Sequence, residues 1–500
     1  MNPLLFKKIG IICLASLFFL TACNSGNSEE LPNTVRIAIN TEPDSLHPHL
    51  SATADTASMM NNVFEGLVGI DENANIIPKI AHNWTISYDG LLYTFTIRDD
   101  IYFHNGERLT IDDVLFSLNR LAGLDGEPPA SSRFNTVVAI EQTSENVVTI
   151  TLSERNASFL VTLTAAIIPR NYHEQSTHPI GTGPYKFVSY TPGQNLILAL
   201  NPNYYDPANA GTIENAEFVF MTDDSAQLLA LRSGSIHMFR TSGEIIEQIN
   251  EQEFATHRSP SNSVQLLALN NDVFPFNDVR VRQALNYAVN REEVSLFITN
   301  GTSNTTYTTL TPELFWYNQE TENIFAHNIE RAKELLQEAG LGGGFNMEIT
   351  VPSNYAFHVD TAQVLVEQLL SIGVNAEIRL VEWGIWLDEV HAQRNYQSTI
   401  VALAGRADPH EVFQRFHSEW GRNFVGFNNP EYDRLVDLGL VETDLQRRIE
   451  IYNEAQMLLT TEAASVFLQD PMMDIVSARN LRGFTSYPIT FWNLARLYFE

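Results

Sequence analysis

Alternating apolar and polar positions over two neighbouring stretches predict a β-hairpin. The alternation runs over residues 185–190 and again over residues 196–200. Between them, Pro192 and Gly193 stand where a type II turn requires a fixed φ angle followed by a positive one. Just before the first strand, Gly181 and Gly183 lead into Pro184, which suits a segment that leaves one structural part and enters another.

Strand and helix periodicities follow one another closely in the second half of the chain. Residues 347–351 alternate, residues 362–370 carry a helical apolar stripe, and residues 374–380 alternate again. This order predicts a βαβ unit, whose parallel strands present loops and ligand at their C-terminal ends. Upstream, residues 276–297 have the spacing of a core-facing helix, with Asn277 or Asp278 as its N-cap.

A further α/β unit is predicted over residues 80–121. Tyr93, Phe95 and Ile97 lie on one strand face, and Thr110 with Asp113 resembles a capping box that opens a helix. With several such units in 500 residues, the chain exceeds what one hydrophobic core organises, and we expect two or three domains.

The chain is strongly acidic, with 60 Asp and Glu against 30 Lys and Arg, a formal charge of −30. Such a field repels nucleic acid and anionic lipid headgroups, so a nucleic-acid partner is not expected. We interpret the acidity as a property of the solvated surface and not of a binding site.

The N-terminus has the features of a secretory signal. Lys7 and Lys8 precede a short apolar run over residues 9–20, too short to span a membrane as a helix. The following Leu20-Thr21-Ala22-Cys23 resembles a bacterial lipobox, which implies removal of residues 1–22 and diacylation of Cys23. Residues 23–33 are polar and suit a tether, so we expect an extracytoplasmic protein anchored to the membrane by its lipid.

The sequence does not match the motifs of common catalytic, metal-binding or phosphate-binding sites. His173 and His178 are five residues apart, whereas a zinc-binding helix needs histidines four apart to share one face. Asp71 begins an EF-hand-like run that lacks the glycine at position six and the glutamate at position twelve. We also find no nucleophile elbow and no P-loop. The sequence therefore predicts a protein that is not an enzyme and has no cofactor.

Several separate motifs resemble the bacterial extracellular solute-binding proteins of family 5, which serve peptide and nickel ABC importers. They are Trp84, Asp89-Gly90, Tyr93, Phe95, Arg98, Phe103, Gly106, Asp113, the stretch 179–206 and Arg280-Val281-Arg282. The resemblance implies an α/β, two-lobed periplasmic-binding-protein-like fold (type II, cluster C-like) with an extra small α/β subdomain. It implies lobe I over residues 34–55, 178–270 and 478–500, the subdomain over 56–177, and lobe II over 271–477. It also implies two crossings between the lobes, near residues 179–186 and 270–277.

The resemblance also places the segment from Ile400 to Trp420 in the ligand cleft. Peptide-binding members commonly have an Asp four residues before the proline to hold the ligand's amine, and Gly405 stands there in this chain. The neighbouring Arg406 is predicted to select a ligand carboxylate. The candidate ligand-binding residues are Ser51, Arg133, Trp383, Gly405, Arg406, Asp408 and His410.

The expected function is capture of short peptides and their delivery to an ABC permease and its ATPase subunits, by a monomer. The alternative is a receptor for nickel or a metal chelate, because Asp408-Pro409-His410 is similar to nickel-binding members. Apart from that alternative, no metal site is predicted. His410 and His417 are too far apart along a helix to bind one ion together, so at most one of them is a ligand. His410 is the candidate, and only under the nickel alternative. The sequence does not distinguish delivery to a permease from delivery to a sensor.

Overall fold

Three mixed or antiparallel sheets organise the chain. The computed structural model describes residues 33–51, 53–241, 244–487 and 491–500. The predicted signal segment, Cys23 and the tether up to residue 32 lie outside the described residues. We call the part built on the seven-stranded sheet the first lobe, the part built on the six-stranded sheet the second lobe, and the part built on the four-stranded sheet the subdomain.

The first lobe has apolar side chains packed on both faces of its sheet, in two separate clusters. Its central strand pairs in parallel with both neighbours, whereas the two sheet ends are antiparallel. In pairing order the strands are Phe254–Pro260, Met472–Ala478, Met238–Thr241, Thr34–Ile39, Asn215–Phe220, Asn195–Leu200 and Tyr185–Thr191.

The second lobe is also buried on both faces. Along Ser263–Leu269, Val264, Leu266 and Ala268 enter one core, while Leu267 and Leu269 enter the other. A strand covered on both faces reads as a continuous apolar run, as this one does. The strands in pairing order are Asn304–Thr305, Ser465–Asp470, Ser263–Leu269, Ser398–Ala404, Phe345–Pro352 and Val374–Val381.

The subdomain has a single core on one face of its antiparallel sheet. Tyr93, Phe95 and Ile97 are buried there, as their alternation predicted. The strands in pairing order are Ala81–Ile86, Leu92–Ile97, Val147–Leu152 and Val137–Ser144. Two small two-stranded sheets join Val68–Ile70 to Ile76–Pro78 and Leu481–Arg482 to Tyr498–Phe499.

Helices pack on these sheets and close the cores. The α-helices are Ala54–Met60, Ile111–Ala122, Phe159–Thr162, Asp224–Arg232, Glu244–Glu247, Val279–Ala288, Arg291–Thr299, Ile329–Glu338, Ala356–Leu370, Trp383–Ile385, His410–Phe413, Pro430–Val441 and Leu445–Thr461. Short 3₁₀ segments occur at Ser132–Phe134, Pro207–Asn209, Gln319–Asn323, Gln414–Phe416 and Leu494–Arg496, and Trp386–Ala392 is π-helical.

The local predictions hold with one refinement. Tyr185–Thr191 and Asn195–Leu200 form the antiparallel hairpin, and Gly193 has a φ of +71° at its turn. Phe345–Pro352 and Val374–Val381 are the parallel strands of the βαβ unit. The single helix predicted over residues 276–297 is two helices, because Asn290 caps a second one by accepting from the Glu293 N–H. Asp278 is the N-cap of the first.

The glycines of the predicted crossover allow a close backbone approach. A Cβ at Gly181 would lie 2.1 Å from the Val63 carbonyl oxygen, and one at Gly183 would lie 2.4 Å from that of Asn62. His104 of the subdomain fixes the same segment, because its Nδ1 accepts from the Gly181 N–H and its Nε2 donates to the Gly183 carbonyl. Residues 181–183 therefore fasten the subdomain to the first lobe.

Two chain passages connect the sheets of the first and second lobes, and neither lies where a crossing was predicted. The predicted crossing near residues 179–186 instead joins the subdomain to the first lobe. The chain leaves the first sheet after Pro260 and enters the second at Ser263; it returns through Pro471. The predicted boundaries at 270/271 and 477/478 would assign Ser263–Leu269 and Met472–Ala478 to the wrong sheets. A buried apolar strand suits either sheet, so its sequence does not reveal its pairing partner.

Asp470 fastens the two passages to each other. Its Oδ1 accepts from the Ser261 hydroxyl at 2.7 Å and from the Ser263 N–H at 3.1 Å. The Ser261 N–H also donates to the Pro471 carbonyl at 3.1 Å. Burial raises the pKa of Asp470, with these hydrogen bonds opposing the rise.

Candidate functional site

The segment after strand Ser398–Ala404 faces the subdomain. It runs through a loop into the short helix His410–Phe413. The Ala157 N–H of the subdomain donates to the Leu440 carbonyl of the second lobe at 2.6 Å, so the two parts are in direct contact here. This contact positions residues 132–162 opposite residues 406–422.

Asp408 belongs to a buried polar cluster at this contact. Arg448 donates to both of its carboxylate oxygens, at 2.7 and 2.9 Å, and the Ser158 hydroxyl donates to it at 2.7 Å. Burial acts to raise the pKa of Asp408, but the Arg448 guanidinium and the hydrogen bonds outweigh it and hold the pKa below its usual value. Protein groups occupy both oxygens, and this gives Asp408 a structural role in place of the predicted ligand contact.

Beside this cluster lies a cavity of about 660 Å³ between the subdomain and the second lobe. Predicted residues Arg133, Arg406 and His410 meet in its wall. The remaining lining residues are Ser132, Asn135, Thr136, Asn156, Ser158, Thr162, Glu411, Gln414, Arg415, Trp420, Arg422 and Leu440. The size falls within the range of roughly 300–1,000 Å³ that is usual for small-molecule sites.

Glu411 links the two walls of the cavity. Arg133 of the subdomain approaches it with Nε at 3.2 Å from Oε1, and Arg406 of the second lobe with Nε at 3.4 Å from Oε2. Arg406 therefore lines the cavity and already has a carboxylate partner from the protein. Both arginines remain largely exposed, so solvent screens these pairs.

His410 and Arg415 have buried nitrogen atoms without hydrogen-bond partners, His410 Nδ1 and Arg415 Nη1. Burial lowers the pKa of His410 to about 4, so the imidazole is neutral at physiological pH. Sequence reasoning missed Arg415 and Glu411; their separation of four residues would have placed both on one side of a helical turn.

Gly405 lies against the first passage between the lobes. Its N–H donates to the Asn262 carbonyl at 2.5 Å, and a Cβ added to it would lie 2.0 Å from Asn262 Oδ1. The Asn262 amide thus occupies the space into which a side chain at position 405 would project.

A second cavity, of about 430 Å³, is lined by the same Asn262. Glu72 on the first-lobe side and Glu313 of the second lobe give its wall two carboxylates and no cationic side chain. Arg406, next to Gly405, lines the larger, basic cavity, and Asn262 lines the acidic one, so the Gly405–Asn262 contact lies beside both.

The other predicted residues lie elsewhere. Trp383 stacks on Trp386 with ring centroids 4.9 Å apart and meets Tyr355 edge-on. Ser51 donates to Asp44 Oδ1 at 2.8 Å, near the start of helix Ala54–Met60. Neither side chain lines the two cavities, and Cys23 lies outside the described residues.

The described residues contain neither a metal-ligand cluster nor a membrane-spanning helix. No three His, Cys, Asp or Glu side chains within residues 33–51, 53–241, 244–487 and 491–500 are grouped so that they could hold a metal ion. In the same part of the chain, every helix is too short or too polar to cross a membrane.

The chain is similar to known solute-binding proteins over most of its length. The model of the family described as bacterial extracellular solute-binding proteins, family 5 Middle, matches residues 75–424. The chain is 23% identical over 530 residues to the dipeptide-binding protein of Escherichia coli (strain K12), and the match covers 97% of each chain.

Solved structures show the same fold. The periplasmic binding protein DppA from Helicobacter pylori, in complex with the peptide STSA, superposes with a TM-score of 0.76 at 23% identity, covering 94% of this chain and 98% of that one. NikZ from Campylobacter jejuni, in complex with Ni(L-His), gives a TM-score of 0.76 at 24% identity, covering 93% and 99%. The fold is that of the two-lobed, mixed α/β periplasmic binding proteins. This chain belongs to the bacterial extracellular solute-binding proteins of family 5.

Proposed function

We propose that this protein is the substrate-binding component of an ABC importer, captures short peptides between its lobes and delivers them to the permease. The observation that carries the proposal is the pair of oppositely charged cavities on either side of the Gly405–Asn262 contact. A free peptide is a zwitterion, so its amine suits the wall with Glu72 and Glu313, and its carboxylate suits the wall with Arg406.

Lipid anchoring through Cys23 is part of this proposal and is supported by the lipobox-like Leu20-Thr21-Ala22-Cys23. A lipid anchor keeps the receptor beside its permease while the lobes remain free to close on the ligand. Closure requires that the ligand bind the closed form several kcal/mol better than the open form. Metabolic labelling with a fatty acid, compared between the full chain and the Cys23→Ala variant, tests the anchor.

Isothermal titration calorimetry tests the peptide proposal. We expect heat with di- to pentapeptides, weaker binding when the N-terminus is acetylated, and weaker binding when the C-terminus is amidated. Acetylation removes the charge that suits the acidic cavity, and amidation removes the charge that suits the basic one. Binding of free, acetylated and amidated peptides with equal affinity would contradict the assignment of the two cavities.

One observation favours a second candidate, a receptor for nickel or a nickel chelate. The Nδ1 of His410, a residue of the larger cavity's wall, has no hydrogen-bond partner, and a neutral imidazole is a ligand that nickel takes. Calorimetry with Ni²⁺, with and without L-histidine, separates the two candidates. Heat with the metal mixtures and none with any peptide would replace the peptide proposal by the nickel one.

A further inference from the structure

The larger cavity is strongly basic in a protein that is strongly acidic. Four arginines, Arg133, Arg406, Arg415 and Arg422, line it together with one acid, Glu411, which leaves a formal excess of three positive charges. The whole chain carries −30. Partly buried cavity walls that carry charges of one sign concentrate the electrostatic potential inside the cavity.

Glu411 cannot neutralise this excess. Its two oxygens are already shared between Arg133 and Arg406, with a second contact from Arg133 Nη2 to Oε2 at 3.3 Å. One carboxylate therefore serves two guanidinium groups, and the other two arginines of the wall form no ion pair with any carboxylate in the described part of the chain.

Arg415 has an unmet hydrogen-bonding need. Its Nη2 donates to the Ala404 carbonyl at 2.7 Å, while Nη1 is shielded from solvent and has no partner. Burial, with Arg406 adding to it, lowers the pKa of Arg415 to about 10. An unpaired buried donor on a charged group is unfavourable, so the protein itself does not compensate the positive charge of Arg415 at this atom.

Arg422 complements Arg415 from the exposed rim of the same cavity. Its side chain is exposed and forms no ion pair within the described residues. The cavity wall also carries neutral hydrogen-bonding groups, among them Asn135, Thr136 and Gln414, and the aromatic residue Trp420. The planar guanidinium fork matches a carboxylate through two parallel hydrogen bonds.

We infer that the larger cavity selects ligands with two or more carboxylates, and that the preferred peptides carry an acidic side chain in addition to their C-terminal carboxylate. This rests on the proposed function and names its substrate class. A single C-terminal carboxylate would still leave the wall with two excess positive charges. A second carboxylate from Asp or Glu therefore has partners in Arg415 and Arg422.

The test compares two tripeptides that differ by one charge, Ala-Glu-Ala and Ala-Gln-Ala. Tryptophan fluorescence and calorimetry report binding, and Trp420 in the wall makes fluorescence sensitive to occupancy. We expect the glutamate peptide to bind at least tenfold more tightly at low ionic strength, with the preference shrinking as salt increases. Equal dissociation constants for the two peptides would overturn the inference and leave the peptide function standing.

Variants assign the preference to the arginines. Arg422→Gln should reduce the ratio of the two dissociation constants at least threefold, and Arg415→Gln should abolish most of it. Arg331→Gln removes one positive charge from helix Ile329–Glu338, outside the cavity wall, and should leave the ratio unchanged. Arg415 is only partly exposed and its Nη2 donates to the Ala404 carbonyl, so the exposed Arg422 decides where Arg415→Gln does not fold. A ratio unchanged in folded Arg422→Gln would contradict the inference.

Glutarate, a dicarboxylate without peptide bonds, separates the two sources of paired carboxylates. Binding of glutarate that weakens in Arg422→Gln, together with no binding of either tripeptide, would support the carboxylate site and overturn the peptide function. Tripeptide binding with no binding of glutarate supports a site that reads the carboxylates in a peptide framework. If neither glutarate nor the glutamate peptide binds, the inference is wrong.

Discussion

Two carboxylates three residues apart, Asp408 and Glu411, meet arginines in opposite ways. Asp408 and Arg448 have side chains only 8% and 7% exposed, and Ser158 completes their hydrogen bonds. Glu411 is 19% exposed, and its partners Arg133 and Arg406 are 52% and 43% exposed. The Asp408–Arg448 pair, which we call the dry pair, is shielded from solvent, and both carboxylate oxygens of Asp408 have protein partners. The pairs of Glu411 lie at the wall of a cavity with excess positive charge. The same chemistry thus holds the structure together at one position and remains available to a ligand at the next.

The largest expected effect comes from breaking the dry pair. Arg448→Ala would leave the Asp408 carboxylate buried without its partner, and we expect a loss of about 3–5 kcal/mol in the free energy of unfolding. Urea denaturation measures it. Arg434→Ala, which breaks the exposed pair with Glu431, is the control and should lower stability far less, because solvent screens that pair. Equal losses for the two variants would mean that burial does not distinguish them.

Lowering the pH should destabilise the fold through His410, which lies between Asp408 and Glu411 in the sequence. Burial lowers its pKa to about 4, with Arg448 adding to the shift and Asp408 and Asp437 opposing it. The unfolded histidine binds its proton near pH 6.5, so between pH 6.5 and 4 the unfolded state holds more protons. The contribution of His410 is therefore complete above pH 6.5 and is lost as the pH falls towards 4.

We expect about 2–3 kcal/mol from this single group over that range. Urea denaturation of the wild type and of His410→Gln at pH 7 and pH 4.5 isolates it as the difference between the two pH dependences. An identical fall in stability for both proteins would show that His410 does not titrate as its burial implies.

The Arg406→Ala variant tests whether the exposed pair at Glu411 contributes to ligand affinity and not to stability. Loss of one charge-assisted pair should weaken peptides with a free C-terminal carboxylate by about tenfold and leave amidated peptides nearly unchanged. Because Arg406 is exposed and solvent screens its pair with Glu411, stability should change little. Calorimetry with a peptide and its amide measures both affinities, and equal losses for the two would refute the assignment.

Glu411→Gln should have the smallest effect on stability, under about 1 kcal/mol, because its ion pairs are partly exposed. It should instead raise the affinity for acidic peptides by two- to tenfold, since it releases Arg133 and Arg406 from the protein's own carboxylate. Asp408→Asn, its counterpart in the dry pair, should lower stability without raising affinity. A weaker affinity for acidic peptides in Glu411→Gln would show that this carboxylate is needed to hold the arginines in place.

Local patterns in the sequence predicted local structure well. The hairpin of residues 185–200, the βαβ unit of 345–381 and the Thr110–Asp113 cap, with the Thr110 N–H donating to Asp113 Oδ2 at 2.9 Å, each depend on residues close in sequence. The passages between the sheets were placed wrongly, because the strand Ser263–Leu269 finds its partners at residues 398–404 and 465–470. No local pattern encodes that pairing.

The candidate site shows the same division. Arg133, Arg406 and His410 were predicted and meet at one cavity, although residues 133 and 406 are far apart in sequence. The structural role of Asp408 was missed because its partners, Ser158 and Arg448, lie 250 and 40 residues away. Arg415 and Arg422 were missed because a single arginine in a sequence resembles any solvated surface residue until its surroundings are known.

The fastening of both inter-lobe passages by Asp470 has a mechanical consequence. Two strands bound side by side define one axis, so rotation about it preserves their hydrogen bonds whereas sliding breaks them. During such a rotation, Asp408 and Arg448 would move together on the second lobe. Three contacts between the subdomain and the second lobe would break. They are the hydrogen bond from the Ser158 hydroxyl to Asp408, the hydrogen bond from the Ala157 N–H to the Leu440 carbonyl and the solvent-exposed pair of Arg133 with Glu411. Water replaces each of these at small cost, so no buried charge is stranded when the lobes part.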